Sequence, residues 1–179
     1  LIFRENGLAR ELLEQERVAD WAIRELLARM TQRLQGCESY EDVIKVAELF
    51  APNIAPEIPG RLYILDLDPW QMRCVASWLS PPDEPELFHP DDCWAVRRGL
   101  SHPPVNGEPD IACYHLPESS AQWSLCVPLI AQGEAIGLLS FRNVTPATAP
   151  SRAYLELMAE ALGLALANQC LRSALLEKA

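Results

Sequence analysis

Gln122–Asn143 reads QWSLCVPLIAQGEAIGLLSFRN. Two apolar runs, Leu125–Ala131 and Ala135–Phe141, flank the short polar break Gln132-Gly133-Glu134. That pattern predicts a tight β-hairpin of two largely buried strands. Pro128 has no N–H for a ladder bond, so it marks an edge position or a bulge in the first strand. Gly137 leaves one strand face bare, either for close packing or to make room for something bound there.

Upstream of the hairpin, Arg61–Leu67 reads as a strand, Asp68-Pro69 as a turn and Gln71–Trp78 as a second strand. By simple alternation Met72, Cys74, Ala76 and Trp78 share one face of that strand, and Arg73, Val75 and Ser77 the other. Ser80–Glu86 is a proline-rich loop. A short helix is expected at about Asp91–Arg98, with Asp91 as N-cap and Gly99 just past its end. Leu100–Asp110 is irregular, with Pro103-Pro104 and Asn106-Gly107 as turn signals, and Ile111–His115 reads as a short strand. Two helices precede all of this. Phe3–Leu34 lacks proline and carries the stripe Ala19, Ile23, Leu26 and Met30, with Leu27 and Leu34 beside it and Gly36 as its stop. The second, about Tyr40–Phe50, is ended by the prolines at 52, 56 and 59.

The 179 residues, 49% of them hydrophobic, suit one α/β-type domain with helical extensions. A net charge of −10, with no basic stripe visible in the sequence, argues against a nucleic-acid surface and would repel anionic membranes. No apolar run reaches the roughly 20 residues of a bilayer span. The six cysteines are scattered without a disulfide framework, which fits reduced thiols in a cytoplasmic protein. Because the chain opens at Leu1 and stops inside a helical pattern, it reads as a module of a longer polypeptide.

The last helix runs from about Ala153 to the end. Leu157, Ala161, Leu164, Asn168, Leu171 and Leu175 are spaced 4-3-4-3-4, while Leu155, Met158 and Leu162 mark a second apolar face. One sheet covers only one of these faces. The seven-residue repeat therefore predicts a homodimer seam, with Asn168 at a core position where a polar residue fixes register. Alternatively both faces pack within one monomer.

The hairpin, with Pro-Leu before the turn and Gly-x-Leu after it, resembles the closing hairpin of GAF domains, sensory modules of signalling proteins. Asp91–Gly99 (DDCWAVRRG), His102, Cys113-Tyr114-His115 and Ser124–Phe141 extend the resemblance to bacterial GAF domains found ahead of diguanylate cyclase or histidine kinase outputs. It implies an α+β fold: a central antiparallel sheet, long terminal helices on one face, and loops with a short helix over a cavity on the other. It also implies three divisions: residues 1–22 as a signalling and dimerisation helix, 23–167 as the GAF domain, and 168–179 leading to a covalently linked output domain. The Asn-Lys-x-Phe-Asp-Glu signature of cyclic-nucleotide-binding GAF domains is absent.

Three groups of residues could carry chemistry. Cys93, His102, Cys113 and His115 offer two thiolates and two imidazoles, a ligand set for zinc or iron, although C-x8-H-x10-C-x-H is not a zinc-finger spacing. The competing reading, and the commoner one for scattered Cys and His, is small core thiols with histidines on a loop surface. Cys93, in the first turn of a helix capped by Asp91, is a candidate redox thiol with Cys113 as its resolving partner, or else an inert buried thiol. Trp78, Trp94, Tyr114 and Trp123 would line a cavity for a small planar or apolar ligand, with Arg97 at the rim to meet an anionic one, or simply fill the core. No phosphate loop, nucleophile elbow or paired-carboxylate motif appears. The expected function is a non-catalytic sensory domain; the alternative is a metal- or thiol-dependent enzyme on a GAF scaffold, of the methionine sulfoxide reductase type.

Overall fold

The structure is a computed structural model that describes residues 2–118 and 121–178; Leu1 and Ala179, the two chain ends, lie outside the described residues. In chain order the elements are α1 (Ile2–Gln35), α2 (Tyr40–Ile54), β1 (Gly60–Leu67), β2 (Trp70–Trp78), β3 (Leu87–Phe88), α3 (Trp94–Arg98), β4 (Leu125–Ala131), β5 (Glu134–Phe141) and α4 (Arg152–Lys178). The strands form one sheet in the order β3-β2-β1-β5-β4, with every pair antiparallel. This is the α+β arrangement expected from the sequence.

The hairpin forms as its residues require. Gln132 and Gly133 both have positive φ, 52° and 80°, the geometry of a type I′ turn whose twist matches that of the strands it joins. Pro128 lies on β4, an edge strand, where its missing donor faces no neighbour. A Cβ on Gly137 would stand 2.7 Å from the Tyr63 carbonyl oxygen and 2.8 Å from Leu129 Cδ1, so of the two sequence readings, close packing is the one realised.

Adjacent residues of the hairpin divide between two cores. Leu125, Val127, Leu129, Leu139 and Phe141 pack with Met30 and Leu34 of α1, Val43, Ala47 and Phe50 of α2, and Leu155, Met158 and Leu162 of α4. Cys126 and Leu138 face the other way, with Tyr63, Met72, Phe88, Cys93 and Cys113. The three long helices thus cover one face, and α3 and the loops cover the other.

Three local expectations are corrected. Simple alternation along β2 fails because its register with β1 slips: Leu62 pairs with Ala76 but Tyr63 pairs with Cys74, leaving Val75 as an extra residue. This bulge sends Met72 and Cys74 to the loop face and Ala76 and Trp78 to the helix face. Ile111–His115 is not a strand. The outer edge of β4 is met instead by a two-bond bridge in which His102 and Cys126 exchange N–H···O bonds of 2.9 Å. Finally, α2 runs beyond Phe50 through Pro52, and the Asn53 side-chain amide donates to the Leu49 carbonyl (2.7 Å).

The two faces of α4 separate except at Ala161, a heptad position that is partly buried against the helix-side core. Leu155, Met158 and Leu162 are fully buried on the sheet, whereas Leu164 and Leu171 are 64% and 61% exposed, and Leu157, Asn168 and Leu175 are exposed on the same side. On α1 burial begins near Ile23; Leu8, Leu12, Trp21 and also Ala19 of the expected stripe are exposed. Among the described residues no helix is long and apolar enough to cross a membrane.

Gly137→Ala should destabilise the domain by about 1–3 kcal/mol, since the added methyl meets a backbone carbonyl that cannot swing away. Gly7→Ala, in open space within α1, should stabilise that helix by up to about 1 kcal/mol. Urea titration of both variants checks the contrast.

Candidate functional site

Across the loop face of the sheet, Arg61 of β1, Ser140 of β5 and Cys126 of β4 lie side by side in register. Glu84, from the proline-rich loop, sits over this row with its side chain fully buried. Its Oε2 accepts from Arg142 (2.9 Å) and Arg61 (3.3 Å), and the Ser140 hydroxyl donates to both of its oxygens (3.0 and 3.1 Å). Its Oε1 is 2.7 Å from His115 Nδ1, which places that imidazole proton on Nδ1 and turns Nε2 inward. Phe88 stacks on the His115 ring at 4.2 Å and 8°, fixing its plane.

His115 Nε2 faces three thiols. Cys126 Sγ is 3.6 Å from it, and Cys93 and Cys113 Sγ are 3.9 Å apart. The four donor atoms of Cys93, Cys113, His115 and Cys126 all lie within 4.8 Å of one another, and all four residues are buried. They come from three separate places: Cys93 is the N-cap residue of α3, Cys113 and His115 flank a loop turn closed by the Leu116 N–H on the Cys113 carbonyl, and Cys126 belongs to β4. The Trp94 N–H donates to Cys113 Sγ at 3.3 Å. This set of donors could hold a metal ion.

Electrostatics within the cluster are strongly coupled. Hydrogen bonds from Cys126 and Cys93, assisted by His115, hold the Cys113 thiol far below the ordinary thiol value against the effect of burial. Cys126 is pushed up by its contacts with Cys113 and Cys93 and by burial. Burial opposes a charge on His115, yet contacts with Cys113, Cys93 and Glu84 outweigh it and push its pKa up to about 11. Burial likewise opposes the Glu84 charge, but His115, Arg142 and Ser140 hold its carboxyl below the usual range.

Of the residues singled out from sequence, Cys93, Cys113 and His115 come together and His102 does not join them. The His102 Nε2 lies 2.6 Å from the Ile111 carbonyl oxygen, and Cys126 occupies the fourth place of the set. Cys93 lies before rather than within the first turn of α3, and the preceding 3-10 turn, Pro90–Asp92, is capped by the His89 ring instead of by Asp91. The aromatic residues do not converge either. Trp78 is on the opposite face against Phe141, Tyr114 is 72% exposed, and Trp94 forms a pair with Arg97, whose guanidinium carbon lies 4.2 Å over its ring. Trp123 alone of the five lines a cleft of about 370 Å³, with His102, Asp110, Cys113 and Gln122. Its φ of 60° is an uncommon conformation for a bulky residue.

No protein-family model matches the chain, and no curated protein matches its sequence. Solved structures do match. The GAF domain of the potassium sensor histidine kinase KdpD from Escherichia coli has a TM-score of 0.60 at 16% identity, over 84% of this chain and 97% of that one. Residues 122 to 287 of a methyl-accepting chemotaxis protein give 0.65 at 13%, over 81% and 99%. A free methionine-R-sulfoxide reductase from Neisseria meningitidis gives 0.62 at 19%, over 85% and 91%. The chain has the GAF fold.

Glu84→Ala should lower stability by about 3–5 kcal/mol, because it strands two buried guanidinium groups without their counter-charge. Denaturant unfolding of the variant measures this, and a loss below 1 kcal/mol would show that the arginines find other partners.

Proposed function

We propose that this domain is a non-catalytic regulatory module of a cytoplasmic signalling protein of the sensor-kinase or diguanylate-cyclase type, joined covalently to an output domain. Residues 1–22 and 168–179 are the segments through which it would connect to neighbouring parts of the chain. The observation that carries the reading is the sheet's two-sidedness: a buried thiol–imidazole–carboxylate cluster on one face and helices with an unburied heptad seam on the other. Cys126 belongs to the cluster, while its neighbours Leu125 and Val127 pack in the core shared with α4. A change at the cluster is therefore one residue away from the helix layer, and Gly163 brings α4 directly onto the backbone of Ile130. Two positions of β4 against α4 would give the two-state element that such a relay needs.

The input is either a small ligand in the cleft beside Trp123 or the redox or metal state of the cluster, whose donors suit zinc or iron. The output is a homodimer formed along Leu157, Leu164, Leu171 and Leu175 of α4. Sedimentation at tens of micromolar should show a dimer. Leu164→Asp with Leu171→Asp should give a monomer that remains folded, since both side chains project away from the core. A monomeric parent protein overturns the relay.

A second reading, a thiol-dependent enzyme, is supported by the three clustered cysteines and by the likeness to structures named as free methionine-R-sulfoxide reductases. Incubation of the reduced protein with free methionine-R-sulfoxide should give no turnover. Reduction that is abolished in Cys113→Ser would replace the regulatory reading with this one.

A further inference from the structure

We propose that Cys93, Cys113, Cys126 and His115 bind a single zinc ion in a closed tetrahedral site, with Glu84 as the carboxylate that orients His115. The proposal goes beyond the regulatory reading, because it specifies the ion, the ligands and the coordination. It also stands without the dimer.

The first support is geometric. Zinc–sulfur bonds of about 2.3 Å and zinc–nitrogen bonds of about 2.0 Å, set at tetrahedral angles, place two sulfurs about 3.8 Å apart and a sulfur and a nitrogen about 3.5 Å apart. Cys93 and Cys113 Sγ are separated by 3.9 Å, and Cys126 Sγ and His115 Nε2 by 3.6 Å. These two separations match a tetrahedral site, and all four donors lie within 4.8 Å of one another, a group sized for one ion. A polynuclear iron–sulfur cluster hangs its thiolates from different irons and needs ligands set wider than the 4.8 Å that bounds this group. Three soft thiolates and one imidazole leave no corner for water, which is the composition of structural zinc rather than of a Lewis-acid centre.

The second support is the surrounding shell. A zinc-bound histidine commonly gives its other N–H to a carboxylate, and His115 Nδ1 is 2.7 Å from Glu84 Oε1. The Trp94 amide donates to a ligand sulfur, Cys113. Charge closes as well. Arg61 and Arg142 against Glu84 leave one positive charge buried beside the cluster, and zinc with three thiolates and a neutral imidazole carries one negative charge. The ion-loaded site and its arginine–glutamate neighbour cancel, which is what burial without water demands.

Such an ion would pin α3, the loop bearing Cys113 and His115, and β4 to one point. The protein purified from zinc-supplemented medium should contain one zinc per chain by elemental analysis, with iron and other metals at trace level. Replacement by cobalt should give intense visible bands of tetrahedral Co(II) with thiolate charge transfer in the near ultraviolet. Removing zinc with a chelator should lower the melting temperature, and adding zinc should restore it. Cys126→Ser should lose the ion, whereas His102→Ala should keep it, and Glu84→Gln should weaken zinc affinity about 10–100-fold. Because a ligand variant can fail to fold, cobalt spectroscopy on the unmutated protein is decisive by itself. Octahedral cobalt, absence of any stoichiometric metal, or iron in place of zinc overturns the proposal. A zinc-containing monomer would leave it standing while removing the relay, and a zinc-free dimer would do the reverse.

Discussion

The buried carboxylate of Glu84 is the interaction on which the loop layer depends. It accepts from guanidinium groups on β1 and just past β5, from a serine on β5, and from the imidazole that faces the three thiols. Each partner alone would be a polar group withdrawn from water at considerable cost. Together they satisfy one another except at Arg142 Nε, which is buried without a partner, and the result ties an irregular segment with few ladder bonds of its own to the most regular part of the molecule. The short α3, five residues long, could not hold this face by packing alone.

The sheet separates two kinds of cohesion. On the helix side the adhesive is apolar: each fully buried leucine of α4 contributes about 1.5–3 kcal/mol by leaving water. On the other side it is polar and soft, built from charge-assisted hydrogen bonds and sulfur. Apolar contacts tolerate small sliding movements, whereas a directional network does not. The loop face is therefore held by directional bonds as well as contact, and the helix face by burial.

Much of this was legible in the residues. The hairpin declared itself because Gln-Gly between apolar runs admits few alternatives to a two-residue turn. The exposed seam of α4 followed from its seven-residue spacing, which no single sheet could cover. The bulge at Val75 was not legible, since β2 has the same composition whether or not its alternation breaks, and that slip is what moved Trp78 to the far face. Cys126 was hidden within an apolar strand, where a thiol reads as one more small core residue. Glu84 lay in a proline-rich loop that gave no reason to expect burial. A signal existed in Ser140, on a buried strand, and Arg142, just past its end, polar residues two apart that require a partner across the layer.

The proline at position 128 has a consequence for how copies of this molecule can meet. An unguarded strand border invites foreign backbone to zip onto it. Here one border is only two residues long, and the other is interrupted by Pro128 and already partly occupied by His102. Lateral growth of the sheet into fibrils or swapped ribbons is thereby discouraged at both margins.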